Sequence, residues 1–466
     1  MLTSALAFRC SHWQIFMKAI VIGASIAGLV AARALCDHME TVAVIDRDLP
    51  PDSATSRKGV PQGRHVHGVL AGGLDAFKTF FPGIMDDLAA DGARVVDAGH
   101  DVLWFNNGAW RLRCNCGVSA CVQTRPLFEL HVRRRVAKLP NISLLYGHSV
   151  TALQLNPEKT RVTGVRITQE GGEEKTLDAD LVVDCSGRGS KLPGWLEANG
   201  LAKPSSTAIT VNVGYSTQYF QVPNKEDLGW QAMLIVGQPP NITRLGAGFF
   251  VEGGELQLTL GGMFRDYPPD DDAGFLKFAE SLQHPAIFQA IQNAKPTSPI
   301  STYRFSAHLW NHYDRLKDLP KNIFVLGDAL CSFNPIYGQG MTVAALEAQV
   351  LHKRLAQAKT SGDTRELQDA YFRGVRGIVN AAWAMATGAD ISYPQAEAPK
   401  PFGHGAINRY LNSVISLSCY DKKALTVWNQ VTNMQRPLPA LFAPAILGRV
   451  MKRAVTGGTQ LSTQQP

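Results

Sequence analysis

The stretch "KAIVIGASIAGLVAARAL" (18–35), followed by "TVAVIDRD" (41–48), constrains the fold more than any other part of the chain. Lys18–Ile22 is short and nearly all apolar, as a central parallel strand covered on both faces requires. A glycine turn follows, then a helix rich in Ala and Leu. The second strand ends on an acid, Asp46. Strand, glycine turn, helix, strand and terminal acid make up the dinucleotide-binding βαβ unit. Gly23 permits the tight turn, and Gly28 lets the helix press against the strands. The helix N-terminus offers amide N–H groups and a partial positive charge to a pyrophosphate. Asp46 can accept both ribose hydroxyls and disfavours a 2′-phosphate, so NADP is not expected in this slot. The unit departs from its fingerprint at one position, where Ser25 replaces the middle glycine.

A chain of 466 residues has room for two or three domains, or one large interrupted one. The net charge of +7 is spread along the chain except for "HVRRRVAK" (131–138). That run is expected to be a solvated helix face, not a nucleic-acid footprint. The eight cysteines, without a secretory leader, imply free thiols and a reducing, cytoplasmic setting. "CNCGVSAC" (114–121) lacks the second ligand pair of a zinc site, so no metal is expected. Residues 1–16 match no targeting pattern well and are expected to form an extension ahead of Met17. No run reaches the ~18 uninterrupted apolar residues of a membrane span.

Four further stretches carry information. "RKGVPQGRHVHGVLAGGL" (57–74) is basic and punctuated by glycine. "TRPLFELHVRRRVAKL" (124–139) reads as an amphipathic helix opened by Arg125. "VTGVRITQEGGEEKTLDADLVVDCSGRGS" (162–190) alternates like a hairpin, then ends in an apolar strand with Asp184. "NIFVLGDALCSFNPIYGQGMTVAALEAQVL" (322–351) leaves a buried strand on Asp328, turns through Pro335 and two glycines, and enters an apolar helix. In this order the set resembles the FAD-dependent monooxygenases related to aromatic-ring hydroxylases and squalene epoxidase. Within them it looks most like bacterial polyene epoxidases of polyether biosynthesis, over residues 17–450.

The resemblance implies an α/β chain. It has a glutathione-reductase-type, Rossmann-like FAD-binding domain, an inserted β-sheet substrate domain and a helical C-terminal region. The expected boundaries are 17–204 for the first FAD part, with a short substrate-side insertion near 100–120, and 205–300 for the sheet. Residues 301–355 complete the FAD domain, and 356–466 form the helical region. Gly23, Ser25, Ile26, Ala27 and Gly28 would line the pyrophosphate. Asp46 would take the adenosine ribose, Arg47 would lie beside the adenine, and Val150 would give a backbone contact to it. Arg125 matches the arginine that reaches the phosphates or ribityl chain. Asp328 would bind the ribityl hydroxyls. Pro335, Gly338, Gln339, Gly340 and Met341 would line the isoalloxazine. A helix starting near Met341 or Thr342 would aim its positive end at the part of the ring that is anionic when reduced. Arg64 is placed near the flavin or its phosphates. His65 and His67 would share one face of an extended segment. Asp184 would serve structure near FAD, and Cys185 departs from the Asp-Gly-x-x-Ser form that helps engage a nicotinamide donor. NAD(P)H therefore reduces the flavin directly or through a separate reductase.

The chemistry implied is oxygen transfer from a flavin hydroperoxide to an alkene or arene of a hydrophobic natural product, with dioxygen as co-substrate. Tyr215, Tyr219, Phe249, Phe250 and Phe264 are candidates for the pocket wall or for ordinary core. A halogenase and a prenyl-chain or alkene reductase are the alternatives on the same fold, though the chain has no Trp-x-Trp. "LPALFAPAILGRVMKRA" could dock as a core helix, roof a greasy pocket or skim a membrane.

Overall fold

The computed structural model describes residues 18–361 and 364–456, so the expected extension at 1–16 lies outside the described residues. Lys18–Ile22 is the centre of a five-stranded parallel sheet. Leu181–Asp184 and Ile323–Val325 lie on one side of it, and Thr41–Asp46 and Ile142–Tyr146 on the other. Val21, Leu181, Val182, Ile323 and Val325 are fully buried, which explains the near-continuous apolar strands. The helices Ile26–Cys36 and Gly340–Ser361 pack against each other, and Leu367–Asp390 packs on the second of them. An antiparallel sheet of His148–Leu155, Val162–Gln169 and Lys175–Asp178 shares the same core. This is a Rossmann-like FAD-type domain with a β-sheet insertion and C-terminal helices.

The insertion is a nine-stranded sheet built around the long strand Ser206–Gln221. Leu256–Gly262, Arg244–Phe250 and Ala232–Ile235 follow on one side, and Ser301–Asn311 lies on the other. The sheet therefore runs past the boundary expected at residue 300. It also recruits the hairpin Val102–Asn106 and Ala109–Trp110 from the region of the short insertion. At its far edge Cys331–Ser332, inside the glycine-rich motif, pairs with Leu309 and Trp310. The loop after Asp328 is thus stitched to the sheet that would cover its ligand.

The basic run is a solvated face only in part: Arg134 and Lys138 are exposed and Arg135 is half-buried, but His131 and Arg133 are not at the surface. It belongs to the helix Arg125–Ala137, in which Arg125, Glu129, His131 and Arg133 are all buried. His131 Nε2 lies 2.9 Å from Asp91, and Arg133 donates to the Pro51 carbonyl. Wedged between other elements, this helix must give its cations internal partners. The last described helix, Pro444–Thr456, docks through Ile446 and Val450 while Met451 and Val455 face outward. Among the described residues no helix is long and apolar enough to cross a membrane.

Candidate cofactor and substrate site

The first turn is held by close backbone packing. A side chain at Gly28 would begin 1.7 Å from the Gly23 carbonyl oxygen, so nothing larger than hydrogen fits. Ser25 stands at the N-cap of Ile26–Cys36 but makes no side-chain cap bond, which leaves the helix amides open. Its hydroxyl instead accepts from Arg125 Nη2 at 2.9 Å. Asp46 accepts from the Ala24 amide at 2.6 Å, the Asp48 amide at 2.9 Å and Arg57 Nη1 at 3.1 Å. Three of the roughly four acceptor positions of a carboxylate are thereby taken. Arg57 also donates from Nε to Glu129 at 2.9 Å, and Glu129 lies 3.2 Å from Arg125. A buried chain of alternating charge runs from Asp46 through Arg57 and Glu129 to Arg125. Arg47 stands at the surface, and Val150 is buried in the small sheet opposite Ile167.

The segment after Arg57 crosses from this end to the large sheet. The short turn Pro61–Arg64 tucks Gly63 inward and leaves the Arg64 side chain exposed. The residue that enters instead is His65, whose Nδ1 lies 2.7 Å from Thr217 Oγ1. His67 Nδ1 donates to the His65 carbonyl, and its ring lies in the field of Arg125. Burial first, then that arginine, pushes His67 down to about 3. Leu70 N reaches Thr342 Oγ1 at 3.0 Å, at the start of Gly340–Ser361. Asp184 has a structural part in the chain itself. Its fully buried carboxylate is committed to Ser186 and Ser190, and it holds the turn that packs on Gly23.

Asp328 lies in a short turn, Gly327–Ala329, just past the strand Ile323–Val325, with a carboxylate that accepts no hydrogen bond among the described residues but lies in the fields of Arg125 and Arg188. Burial raises its pKa, and the two arginines oppose that rise. Pro335–Tyr337 forms a single tight turn, and Gly338 follows in the left-handed region at φ 63°. The helix begins at Gly340, one residue earlier than expected, with a Cβ position there only 3.6 Å from Asp328 Oδ1. The Gln339 side-chain oxygen is buried without a partner.

The turn is anchored from behind. Asn334, His308 and Asp390 are all fully buried. The Asp390 carboxylate receives Tyr337 Oη at 2.5 Å, Asn334 Nδ2 at 3.0 Å and His308 Nε2 at 2.7 Å. The Asn334 amide donates to His308 Nδ1 at 3.1 Å, which fixes the imidazole with its proton on Nε2. Ile336 of the turn packs on an apolar cluster of Tyr215, Met263, Phe305 and Tyr393, joined by Phe264 and Tyr303. Tyr215 and Phe264 thus stand beside the turn. Phe250 packs on Trp230 in a separate core, and Tyr219 and Phe249 join a third cluster.

Residues 19–193 match the family described as FAD dependent oxidoreductase. Protein Rv3254 of Mycobacterium tuberculosis (strain ATCC 25618 / H37Rv) is 33% identical over 390 residues, covering 82% of this chain and 81% of its own. The chain belongs to this family of FAD-dependent oxidoreductases. Squalene epoxidase 5 of Arabidopsis thaliana is 23% identical over 368 residues, covering 75% of this chain and 63% of its own. The solved structure of the flavin-dependent brominase Bmp2 matches with a TM-score of 0.63 at 16% identity, over 93% of this chain and 99% of that one. At that identity the likeness is one of fold.

A FAD-dependent oxidoreductase needs anion donors, a ribityl acceptor and room for a flat ring, and the residues present fit that need. The uncapped helix amides with Arg125 suit a pyrophosphate, the unengaged Asp328 suits ribityl hydroxyls, and Gly338 and Gly340 put no side chain between their backbone and a ring. Arg57, Glu129, His308 and Asp390 were not singled out from sequence. Arg57 stood inside a quoted motif. Asp390 could have been suspected as an acid on the apolar face of an otherwise well-patterned helix.

Proposed function

We propose that this oxidoreductase is a monooxygenase that epoxidises or hydroxylates a hydrophobic alkene or arene. The observation that carries the reading is the apolar, aromatic cluster pressed against Ile336, in the turn assigned to the isoalloxazine. When bound, FAD supplies the activation of dioxygen, which no protein side chain can provide. The residues around it have simpler tasks. Arg125 and the open helix amides hold the phosphates, and Asp328 holds the ribityl chain between two arginines. The helix starting at Gly340 directs its partial positive charge toward the ring. Tyr215, Met263, Phe264, Phe305 and Tyr393 exclude water from the reacting carbons and orient them. Epoxidation asks for no dedicated protein base, in keeping with a cluster that offers no ionised side chain of its own. NAD(P)H is the electron source, directly or through a reductase.

The test is dioxygen consumption by the FAD-loaded protein, with NAD(P)H or dithionite as reductant and a panel of terpenoid and polyene alkenes. Substrate-dependent uptake with one oxygen atom found in the product supports the reading. An alkene saturated without oxygen uptake would overturn it in favour of a reductase. Halide-dependent product formation would overturn it in favour of a halogenase, the reading that the Bmp2 fold keeps in view.

A further inference from the structure

Two buried donors in the cluster beside the flavin turn lack acceptors. His65 is 3% exposed and Tyr215 is 6% exposed. Among the described residues, neither His65 Nε2 nor the Tyr215 hydroxyl donates to an acceptor. Their rings lie 5.7 Å apart, and Tyr303 stacks on Tyr215 at 6.5 Å and stands 5.8 Å from His65.

The proton positions follow from the bonds behind the histidine. Val66 N donates to Thr259 Oγ1 at 2.9 Å. Thr259 Oγ1 lies 2.6 Å from Thr217 Oγ1, which lies 2.7 Å from His65 Nδ1. Both threonine hydrogens find acceptors only if Thr259 donates to Thr217 and Thr217 donates to Nδ1. The imidazole proton is then on Nε2. At Tyr215, the neighbouring Ile336 amide gives its own hydrogen to Asn334 Oδ1 and offers no acceptor. An N–H and an O–H are thus left unmet in a buried place, an arrangement that proteins avoid unless a ligand completes it.

We propose that His65 and Tyr215 together bind one neutral oxygen of the substrate, a carbonyl or a hydroxyl. The substrate is then an oxygenated hydrophobic molecule and not a pure hydrocarbon. This rests on the monooxygenase reading for the claim that the cluster faces substrate. The partner is a dipole, not a carboxylate. Burial holds His65 down at about 4, so the ring is neutral at neutral pH. The nearby Arg188 already donates to Ala307, Ser332 and Ser306.

The experiment uses the full chain loaded with FAD and a matched pair of probes, geranylacetone and the same chain with CH2 in place of the carbonyl. Binding is followed by tryptophan fluorescence, since Trp383 packs on the cluster, and by flavin absorbance. The ketone is expected to bind about 10- to 100-fold more tightly, about tenfold at most for each of the two buried hydrogen bonds. Tyr215→Phe removes only the unpartnered oxygen and should fold normally. It and His65→Phe should each shrink the ratio toward one. Equal affinities in the wild type, a ratio that survives Tyr215→Phe, or no binding of either probe would overturn the proposal. A His65→Phe protein with an altered flavin spectrum and an unaltered ratio would also overturn it, by giving the histidine to the cofactor. Colourless protein that takes up no FAD would defeat the monooxygenase reading instead, and the fluorescence titration would still decide this one.

Discussion

Arg125 donates to the hydroxyl of Ser25, a hundred positions earlier, at 2.9 Å, joining the starts of two helices. The serine that breaks the glycine fingerprint thus has a use, because it gives the buried guanidinium a neutral partner beside its acid, Glu129. Arg125→Ala removes a charged donor from the phosphate end of the site. FAD affinity, titrated by flavin fluorescence, is expected to fall about 10- to 100-fold. Ser25→Gly should change it by no more than about threefold, within the range of one weak neutral bond. Equal losses in both variants would mean that Arg125 acts only through Ser25.

Arg57 serves three acids: Asp46 at 3.1 Å, Asp48 at 3.6 Å and Glu129 at 2.9 Å. Removing it would strand buried carboxylates, an error that costs about 3–5 kcal/mol. Chemical denaturation of Arg57→Ala should report a loss of that size. A loss under about 1 kcal/mol, the value of a surface pair, would show the network to be solvated.

Two glycines predict opposite outcomes. Gly28→Ala drives a methyl into the Gly23 carbonyl and should prevent accumulation of folded protein. Gly340→Ala meets nothing closer than Asp328 Oδ1 at 3.6 Å, so stability should change by less than about 1 kcal/mol. Its methyl would nevertheless occupy space assigned to the ring, and the purified protein should carry markedly less flavin. Full flavin content in Gly340→Ala would move the ring elsewhere.

Glu347 is fully buried and accepts from the Gly327 amide at 2.7 Å. Burial raises it to about 8, the amide bond opposing and Asp328 adding to the rise. With its folded pKa above the unfolded value, the native state holds a proton that the unfolded chain releases. Stability should therefore fall as pH rises from about 4.5 towards 8, by up to about 1.4 kcal/mol per unit. Glu347→Gln keeps the acceptor and removes the titration. Its melting temperature should match wild type at low pH and exceed it at pH 8; a constant difference across the range would refute the assignment.

The parallel sheet and the glycine turns were legible because both depend on local patterning: continuous apolar strands, and sharp bends that few residues tolerate. The turn Pro335–Tyr337 with Gly338 was legible for the same reason. What stayed hidden depends on distant pairs. Nothing adjacent in sequence reveals that Arg57 meets Glu129, or that Asp390 meets Asn334. The basic run was read only half correctly because charge alone does not report burial: Arg134 and Lys138 are exposed, but Arg133 has its partner at Pro51, across the fold. The strand Ser301–Asn311 alternates as strands do, yet only its partner, Ser206–Gln221, assigns it to the large sheet.

The anchor of the flavin turn has a bearing on when the protein becomes functional. Asp390 lies 56 positions beyond Asn334. A growing chain therefore leaves the ribosome with that bend exposed well before the residue that sets it has been made. Cofactor capture is deferred until the later helix folds back, and polypeptides terminated ahead of Asp390 should emerge colourless from a flavin-fed translation reaction. Yellow truncated products would show that the bend sets itself.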